Sequence, residues 1–338
     1  MEKRRQFLKK LTGLTAGIMV PFPQVTFGKT SFSDKWGEIL PLRKLGRTGV
    51  NVTMLGVGGY HIGWTTEKDA QAVIEAAIEG GIRFFDSAES YGPHTSEIRY
   101  GKYLTPKYRE EVFIMTKSTA REAKTMQEHL DASLRRLNTD YLDLWQVHSV
   151  QDPEDVDSRI ENGVFDVVIK AKEDGKVKHV GFTGHNNPKA HLRVLERTSD
   201  NPFFETIQMP INVVDANLDH FINSVLPKAL DRQLGVLAMK TMADGRFFGK
   251  KMRLEDLQWE TDKPIVPDRM SIKEALYFVW SLPVSVLISG AENETFIKEK
   301  IKLAREFSSF DPSERTKLIT KVADLAEEGK VEYYKNIS

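Results

Sequence analysis

The chain has 338 residues, and its 48 lysines and arginines balance its 48 aspartates and glutamates, so the formal net charge is zero. A neutral chain without a basic stripe has no field that attracts nucleic acid, and we expect no nucleic-acid partner. The chain has no cysteine, which excludes disulfides, thiolate metal sites, iron–sulfur clusters and cysteine nucleophiles. With 40% apolar residues it has enough apolar side chains for one large core.

The segment at residues 1–30 is typical of a targeting signal rather than of a folded element. The basic motif RRQFLK at residues 4–9 precedes a weakly apolar stretch that is too short to span a bilayer. This order resembles a twin-arginine export signal, which implies the twin-arginine translocase as a partner and a periplasmic or other exported location. A disordered basic tail is the alternative. No A-x-A cleavage site follows, so an uncleaved signal that anchors the protein to the membrane also stays open.

A hairpin followed by alternating strand and helix signals is predicted for the rest of the chain. Residues 38–52 predict a β-hairpin with its turn at Gly46–Gly49. Thr66 begins a helix with capping-box spacing, and Gly80 ends it. Apolar runs predict eight strands, at residues 52–58, 82–86, 111–117, 141–148, 179–184, 206–212, 235–240 and 285–290.

The helix signals complete an alternating pattern. Because each of eight strands is followed by a helix, the sequence favours a parallel sheet closed into a (β/α)8 TIM barrel over residues 38–330, with an N-terminal β-hairpin and an extra C-terminal helix. A doubly wound open sheet is the alternative, but His61 stands where its G-x-G-x-x-G fingerprint needs the third glycine. Besides an irregular polar stretch at 244–269, the pattern predicts helices at residues 95–104, 125–137, 163–175, 189–197, 221–232, 270–280, 293–305 and 312–328.

Three consecutive predicted strands end in unlike polar residues. Asp86, Lys117 and His148 follow one another at intervals of 31 residues. Neighbouring parallel strands of a barrel bring their carboxyl ends together, at the face where barrel enzymes carry their active sites. We therefore expect these side chains to converge, with Tyr91 on the adjoining loop. Taken singly, they have ordinary alternatives: a helix cap, a surface lysine and a hydrogen-bonded core histidine.

These residue types suit proton transfer to a carbonyl or from an alcohol. A phenol has an ordinary pKa of about 10, and a nearby ammonium lowers that pKa by stabilising the phenolate. We therefore expect Lys117 to lower the pKa of Tyr91 and Asp86 to balance the charge of Lys117. His148 is expected to donate a hydrogen bond to a substrate oxygen. The eight histidines show no H-E-x-x-H spacing, so no metal site is predicted, and neither a G-x-S-x-G elbow nor a P-loop is present.

The motifs around these residues resemble those of the aldo-keto reductases. In chain order they are LRKLGRTGVNVTMLGVGG, FDSAESYG, SEIRYGKYL, VFIMTKS, YLDLWQVHS, GFTGH, IQMPIN and VLISGAEN, over about residues 40–305. The resemblance implies a (β/α)8 barrel that binds a nicotinamide cofactor, NAD or NADP, in extended form without a Rossmann domain. It also implies that Asp86, Tyr91, Lys117 and His148 form a catalytic tetrad in which Tyr91 is the general acid.

The resemblance also assigns cofactor positions, some of which depart from the family pattern. The usual Ser-Asn pair after the fifth strand is Thr183 followed by glycine here, and the glutamine of the sixth strand is present as Gln208. His185 is a candidate to replace the lost amide. Met239 stands in place of a ring-stacking tyrosine, and its thioether is able to pack on an aromatic face. Lys240 is placed to meet the pyrophosphate, and a solvated lysine at a strand end is the alternative.

The loop after the eighth strand bears on the choice of cofactor. Ser289, Gly290 and Glu292 belong to the loop that the resemblance assigns to cofactor binding. Many relatives use basic residues there to hold the 2′-phosphate of NADP. A carboxylate at Glu292 repels a phosphate but accepts a bond from a free ribose 2′-hydroxyl, so the sequence leans to NAD. Lys298 and Lys300 keep NADP open.

The expected function is that of an exported NAD(P)-dependent oxidoreductase that interconverts an aldehyde, a ketone or a sugar with an alcohol. Tyr60, His61 and Trp64 on the first loop are a candidate rim for a sugar-like or an apolar substrate. Two alternatives stay open. One is a cofactor-loaded binding or sensing module, and the other is a lyase or isomerase that uses bound cofactor transiently.

Overall fold

Eight parallel strands close into a barrel at the centre of the structure. The computed structural model describes residues 32–218, 220–252, 257–326 and 331–335, so the predicted targeting segment lies outside the described residues. The described strands are, in chain order, β1 (Phe32–Asp34), β2 (Gly37–Ile39), β3 (Leu42–Lys44), β4 (Asn51–Thr53), β5 (Leu55–Gly58), β6 (Phe84–Asp86), β7 (Phe113–Ser118), β8 (Leu142–Val147), β9 (Val177–Thr183), β10 (Thr206–Pro210), β11 (Gly235–Met239), β12 (Lys250–Met252), β13 (Leu257–Glu260) and β14 (Val286–Ser289).

Strands β5 to β11 and β14 form the barrel, and helices cover its outside. Parallel pairing of β14 with β5, in the register Leu287↔Leu55, closes the barrel. This architecture confirms the predicted (β/α)8 barrel, and the extra C-terminal helix is α12. The described α-helices are α1 (Gly59–Trp64), α2 (Glu67–Glu79), α3 (Thr95–Tyr103), α4 (Thr105–Tyr108), α5 (Ala123–Leu137), α6 (Pro153–Glu161), α7 (Val164–Glu173), α8 (Pro188–Arg197), α9 (Leu226–Asp231), α10 (Ile272–Trp280), α11 (Glu294–Arg305) and α12 (Pro312–Lys321).

The barrel interior and the layer between strands and helices are two separate apolar clusters. Successive residues of a strand point to opposite faces. Phe84 therefore belongs to the inner cluster, while its neighbour Phe85 belongs to the outer one. Leu144 from β8 joins the inner cluster, as do Leu45 and Val52 from the β3–β4 hairpin and its turn. The hairpin thus fills the amino-terminal end of the barrel and leaves the carboxyl end to the loops.

The β3–β4 hairpin confirms the prediction for residues 38–52. Its antiparallel register pairs Arg43 with Val52, and its turn holds Gly46 and Gly49 at φ values of +53° and +81°. Glycine adopts such values without the strain that a Cβ brings there. The buried guanidinium of Arg43 donates to the carbonyl of Val284 at 2.8 Å and to that of Trp280 at 2.7 Å, which fixes the hairpin to the barrel.

The predicted first strand, residues 52–58, is wrong as a single element. The backbone N–H of Met54 donates to the carbonyl of Pro41, in the hairpin, at 2.9 Å. The carbonyl of Met54 accepts instead from the N–H of Leu287, in β14, at 3.0 Å. The chain therefore changes partners at Met54, and the apolar run is divided between β4 and β5.

Other differences from the predicted elements have local causes. Two helices, α6 and α7, lie between β8 and β9 where one was predicted, and Asp152 caps α6 by accepting from the N–H of Asp155 at 2.7 Å. The helix predicted at 221–232 begins as a π-helical turn, Phe221–Val225, and continues as α9 with Pro227 in its first turn, where a missing N–H is tolerated.

The polar stretch predicted to be irregular, 244–269, contains the β12–β13 hairpin. The last predicted helix, 312–328, ends earlier, at Lys321, and a short 3-10 turn follows at Ala323–Leu325. None of the helices in the described ranges combines the length and the apolar character needed to cross a lipid bilayer.

Candidate active site

The structure brings together the four residues that the sequence assigned to the chemistry. Asp86 ends β6, Lys117 lies in β7 and His148 follows β8, and their exposed fractions are 3%, 1% and 5%. The ammonium of Lys117 donates to the carboxylate of Asp86, to the carbonyl of Ser87 at 2.6 Å and to the hydroxyl of Tyr91 at 3.3 Å. A buried ammonium therefore joins the two barrel strands to the loop that carries the phenol.

Close packing of two loops fixes the backbone beside Tyr91. Gly92 has a φ of +61°, and a Cβ there would lie 2.2 Å from the carbonyl oxygen of Gly63, in α1 after β5. Only glycine combines this conformation with so close an approach. The carbonyl of Tyr91 also accepts from the N–H of Ser96 at 3.2 Å, at the start of α3. The phenol is thus held from both sides of its own loop.

The pKa of Tyr91 shifts in the direction opposite to the predicted one. Part of the side chain faces solvent, but its hydroxyl is surrounded by protein, and burial raises the pKa well above its ordinary value. The carboxylates of Asp86 and Glu89 raise it further. The charge of Lys117 is already balanced by Asp86, so the ammonium does not outweigh burial. Tyr91 consequently keeps its proton at neutral pH, as a proton donor requires.

Burying the ion pair of Lys117 and Asp86 costs free energy, which the attraction between the two charges offsets. Burial lowers the pKa of Lys117 while the attraction of Asp86 raises it, and burial raises the pKa of Asp86 while Lys117 lowers it. A buried pair is tolerated only when its geometry is good and further hydrogen bonds complete it. The contacts of Lys117 with Ser87 and Tyr91 supply those bonds.

A neutral imidazole faces the phenol, and a second neutral imidazole lies behind the first. The ring centroid of His148 lies 5.8 Å from that of Tyr91, in a nearly perpendicular arrangement, and 6.2 Å from that of His185. Burial lowers the pKa of His148 well below its ordinary value and lowers that of His185 to about 3. The Nδ1 atoms of both rings are buried without a hydrogen-bond partner in the described part of the chain. Both rings therefore have a nitrogen free for a bound ligand.

Sequence reasoning did not identify Glu89 as part of the site. Its buried carboxylate accepts from the backbone N–H and the hydroxyl of Thr119, at 2.9 and 2.6 Å, and its backbone N–H donates to the carbonyl of Lys117 at 3.3 Å. It therefore ties the Tyr91 loop to the end of β7. A second carboxylate three residues after Asp86, in a turn of small residues, is the signal in the sequence that points to it.

Thr183 and Gln208 lie side by side on neighbouring strands and offer a polar pair to a ligand. The register of β9 and β10 places them opposite each other, and both are buried. The hydroxyl oxygen of Thr183 and Oε1 of Gln208 have no hydrogen-bond partner among residues 32–218, 220–252, 257–326 and 331–335. Because an unpaired buried polar atom costs free energy, these atoms fit a carboxamide that is not part of the chain.

Packing explains why glycine follows Thr183. A Cβ at Gly184 would lie 2.5 Å from the carbonyl oxygen of Val150 and 2.8 Å from Cε1 of His191. No side chain fits at this position without movement of the backbone. The amide contact that the family pattern would supply there is therefore replaced by the adjacent His185, or it is absent.

The residues after β11 and β14 lie in charged surroundings. Met239 is buried at the end of β11. The ammonium of Lys240 lies 3.5 Å from the carboxylate of Asp244. Ser289 ends β14, and a Cβ at Gly290 would lie 1.9 Å from Nδ1 of His61, so the imidazole of the first loop packs directly on the bare glycine.

Glu292 is ionised and lies beside a histidine and a lysine. Its Oε1 lies 3.4 Å from Nε2 of His61 and 3.8 Å from Nζ of Lys251, and the contact with His61 lowers the pKa of Glu292 to about 2. Lys300 donates to the carbonyl of Gly290, and burial lowers the pKa of Lys300 to about 8. Lys298 pairs with Glu294 on the exposed side of α11.

We expect the pair of Asp86 and Lys117 to be strongly coupled. Asp86→Asn should lower the free energy of unfolding by about 3 to 5 kcal/mol, because it leaves a buried ammonium without its anion. The double variant Asp86→Asn/Lys117→Met no longer has that ammonium. Its free energy of unfolding should therefore fall by about 1 to 3 kcal/mol less than the sum of the decreases in the two single variants. Urea denaturation of the four proteins measures this cycle, and additive losses would contradict the coupling.

Known proteins agree with this fold and these motifs. A family model described as "Aldo/keto reductase family" matches residues 54–333. The "Aldo-keto reductase YhdN" of Bacillus subtilis is 28% identical over 219 residues, which are 60% of this chain and 62% of that protein. The "L-galactose dehydrogenase" of Arabidopsis thaliana is 32% identical over 165 residues, which are 43% of this chain and 49% of that protein.

A solved structure shares the fold at low sequence identity. The holo form of the aldo-keto reductase AKR11C1 from Bacillus halodurans has a TM-score of 0.67 and 21% identity, over 83% of this chain and 96% of that chain. At this identity the likeness concerns the fold alone, whereas the family model spans most of this chain. The protein is therefore a member of the aldo/keto reductase family.

Proposed function

We propose that this protein interconverts a carbonyl group and an alcohol with NAD(P), and that Tyr91 is its general acid and base. The observation that carries the proposal is the 3.3 Å contact between the Tyr91 hydroxyl and the buried ammonium of Lys117, beside the neutral ring of His148. Family membership makes the protein an oxidoreductase, and this arrangement supports the finer assignment.

The proton is held at the hydroxyl oxygen of Tyr91. The raised pKa keeps that proton in place until a substrate oxygen begins to take it. As the proton leaves, the ammonium of Lys117 stabilises the oxyanion that forms on the tyrosine. Asp86 keeps Lys117 charged for this purpose. In the alcohol-to-carbonyl direction, the tyrosinate oxygen that a preceding reduction leaves behind receives the proton.

The substrate oxygen is oriented by His148. A neutral imidazole donates through one ring nitrogen, and the Nδ1 atom of His148 has no competing partner among the described residues. The ring lies close enough to Tyr91 for both side chains to contact one oxygen atom. Two donors on the same oxygen stabilise the negative charge that develops there during reduction.

A bound nicotinamide cofactor supplies or accepts the hydride. Thr183 and Gln208, whose oxygens lack partners in the described part of the chain, would hold its carboxamide. Met239 would pack on its ring and Lys240 would meet its pyrophosphate. The remaining positions, assigned to the adenosine side, are Ser289, Gly290 and Glu292.

NAD is the cofactor that these surroundings favour. Glu292 is ionised at neutral pH and repels a 2′-phosphate. Two lysines would favour NADP by binding its 2′-phosphate, but both already have partners. Lys300 donates to the carbonyl of Gly290, and Lys298 pairs with Glu294.

We also propose a sugar-like substrate. Tyr60 is 41% exposed, its ring centroid lies 5.6 Å from that of Tyr91, and Trp64 beside it is also exposed. Exposed aromatic rings next to the reacting group give a polyhydroxylated substrate an apolar face to pack on. One relative is named as a dehydrogenase of L-galactose, which supports the same class.

Residues 1–30 are proposed to direct export by the twin-arginine route, which carries folded proteins and allows the cofactor to be loaded first. Substitution of Arg4 and Arg5 by lysine should then shift the protein from the exported fraction to the cytoplasm, as measured by cell fractionation. Lys9→Arg and Lys10→Arg, which keep the charge of the segment, are the control. An unchanged distribution of the first variant would contradict this route.

Tyr91→Phe should lower kcat for reduction of D-glyceraldehyde by about 10²- to 10⁴-fold, because the proton donor is removed while the ring is kept. Binding of the cofactor should not change. Tyr103→Phe removes a hydroxyl whose partner is Glu67, on the outer helices, and it serves as the matched control with near-normal kcat. Retained turnover in Tyr91→Phe would place the chemistry elsewhere.

The cofactor is tested directly on the purified, exported protein. We expect denaturation to release NAD, identified by mass spectrometry. Release of NADP would overturn the argument from Glu292 and leave the oxidoreductase in place. A protein that is empty and binds neither cofactor in a fluorescence titration would contradict the proposed reaction and favour a non-catalytic binding module.

A further inference from the structure

The C-terminal segment Val331–Lys335, here termed the C-terminal clasp, is anchored by a fully buried ion triad. Lys335 donates to the carboxylate of Asp215, after β10, and to Oε2 of Glu332 at 2.6 Å. The side chains of all three residues are at most 1% exposed. Three charges are tolerated at such burial only in a well-formed hydrogen-bonded network. The triad therefore fixes the position of the clasp against the barrel.

The triad is connected to the backbone of Lys240. The side-chain amide of Asn212 donates to Oε1 of Glu332 at 2.6 Å and to the carbonyl of Lys240 at 3.3 Å. The hydroxyl of Tyr334 donates to the same oxygen of Glu332 at 2.9 Å. Lys240 has a φ of +54°, which a residue with a side chain adopts only when its surroundings support it. The clasp is part of those surroundings.

The clasp also contacts the charged groups after β11. The ammonium of Lys240 lies 4.5 Å from the ring centroid of Tyr334. The hydroxyl of Tyr333 donates to Oδ2 of Asp244 at 2.7 Å, and the guanidinium of Arg246 lies 4.6 Å from the ring centroid of Tyr333. Two adjacent tyrosines of the clasp thus hold three charged side chains of one loop.

We propose that the C-terminal clasp positions Lys240 on the cofactor and thereby slows cofactor release. The inference rests on the proposed function, in which Lys240 meets the pyrophosphate. An aromatic face attracts an ammonium without neutralising it, so Tyr334 restrains Lys240, whose ammonium also lies 3.5 Å from the carboxylate of Asp244. Tyr334 is a positioning residue, since it acts through Lys240.

Slow release has a chemical reason in this protein. Free nicotinamide cofactor is scarce outside the cytoplasm, so an exported enzyme works only if it retains the molecule it carries. With a retained cofactor, an alcohol would be oxidised and a carbonyl compound reduced in alternation, so that a hydride and a proton would pass from the first substrate to the second. The clasp keeps the cofactor in place between those two steps.

The test uses the full-length holoprotein and a matched pair of substitutions. Tyr334→Leu removes the aromatic face, whereas Tyr334→Phe keeps the face and removes only the hydroxyl, with its bonds to Glu332 and Asn212. The release rate of NADH, or of NADPH if that is the cofactor found, is followed by stopped-flow fluorescence on mixing with excess oxidised cofactor. We expect release to accelerate by about tenfold or more in Tyr334→Leu, because this variant loses a desolvated cation–π contact with Lys240. In Tyr334→Phe, which keeps that contact, we expect an acceleration of less than about threefold.

A second background separates positioning from a general loss of structure. In Lys240→Met, Tyr334→Leu should cause no further acceleration, because the clasp acts through the ammonium. Equal rates for Tyr334→Leu and Tyr334→Phe, or an undiminished effect of Tyr334→Leu in Lys240→Met, would overturn the proposal while leaving the oxidoreductase intact. A wild-type protein that binds neither cofactor would instead refute the proposed function, and the clasp proposal with it.

Discussion

The buried ion pair of Lys117 and Asp86 is the constraint on which the candidate site depends. An ammonium with 1% exposure needs an anion in contact and further acceptors, and two adjacent barrel strands and the loop between them supply these. The same ammonium contacts the hydroxyl of Tyr91. The position of the phenol is therefore fixed by the barrel strands, because the contact with Lys117 restrains the loop that carries Tyr91.

The two ends of the barrel have different roles: the amino-terminal end is closed by packing, and the carboxyl end carries the candidate site. At the amino-terminal end, the β3–β4 hairpin inserts Leu45 and Val52 into the apolar interior, and Arg43 fixes it through two carbonyls. At the carboxyl end, buried polar atoms lack partners within the described residues, as at Thr183 and Gln208. Unpaired polar atoms reduce stability, so this pair on neighbouring strands indicates a place where a ligand completes the structure.

Two electrostatic bridges connect loops across the proposed cofactor side. Glu292 joins the loop after β14 to His61 in the first loop and to Lys251 in the β12–β13 hairpin. Lys335 joins the C-terminal clasp to Asp215, after β10. Partly exposed pairs of the first kind are weak, whereas the buried pair of the second kind is costly to break. The second bridge therefore sets the position of its loops more firmly.

Local properties of the sequence determined the order of strands and helices, the hairpin before the barrel and the even spacing of Asp86, Lys117 and His148. Hydrophobic periodicity and the polarity of strand ends can be read from neighbouring residues, which is why these predictions succeeded. The division of the first apolar run at Met54 was decided by backbone partners far away in sequence. Only the tertiary structure decided that burial raises the pKa of Tyr91, since the atoms around its hydroxyl come from several loops. The same holds for the clasp, because its anchor joins groups 120 residues apart in the chain.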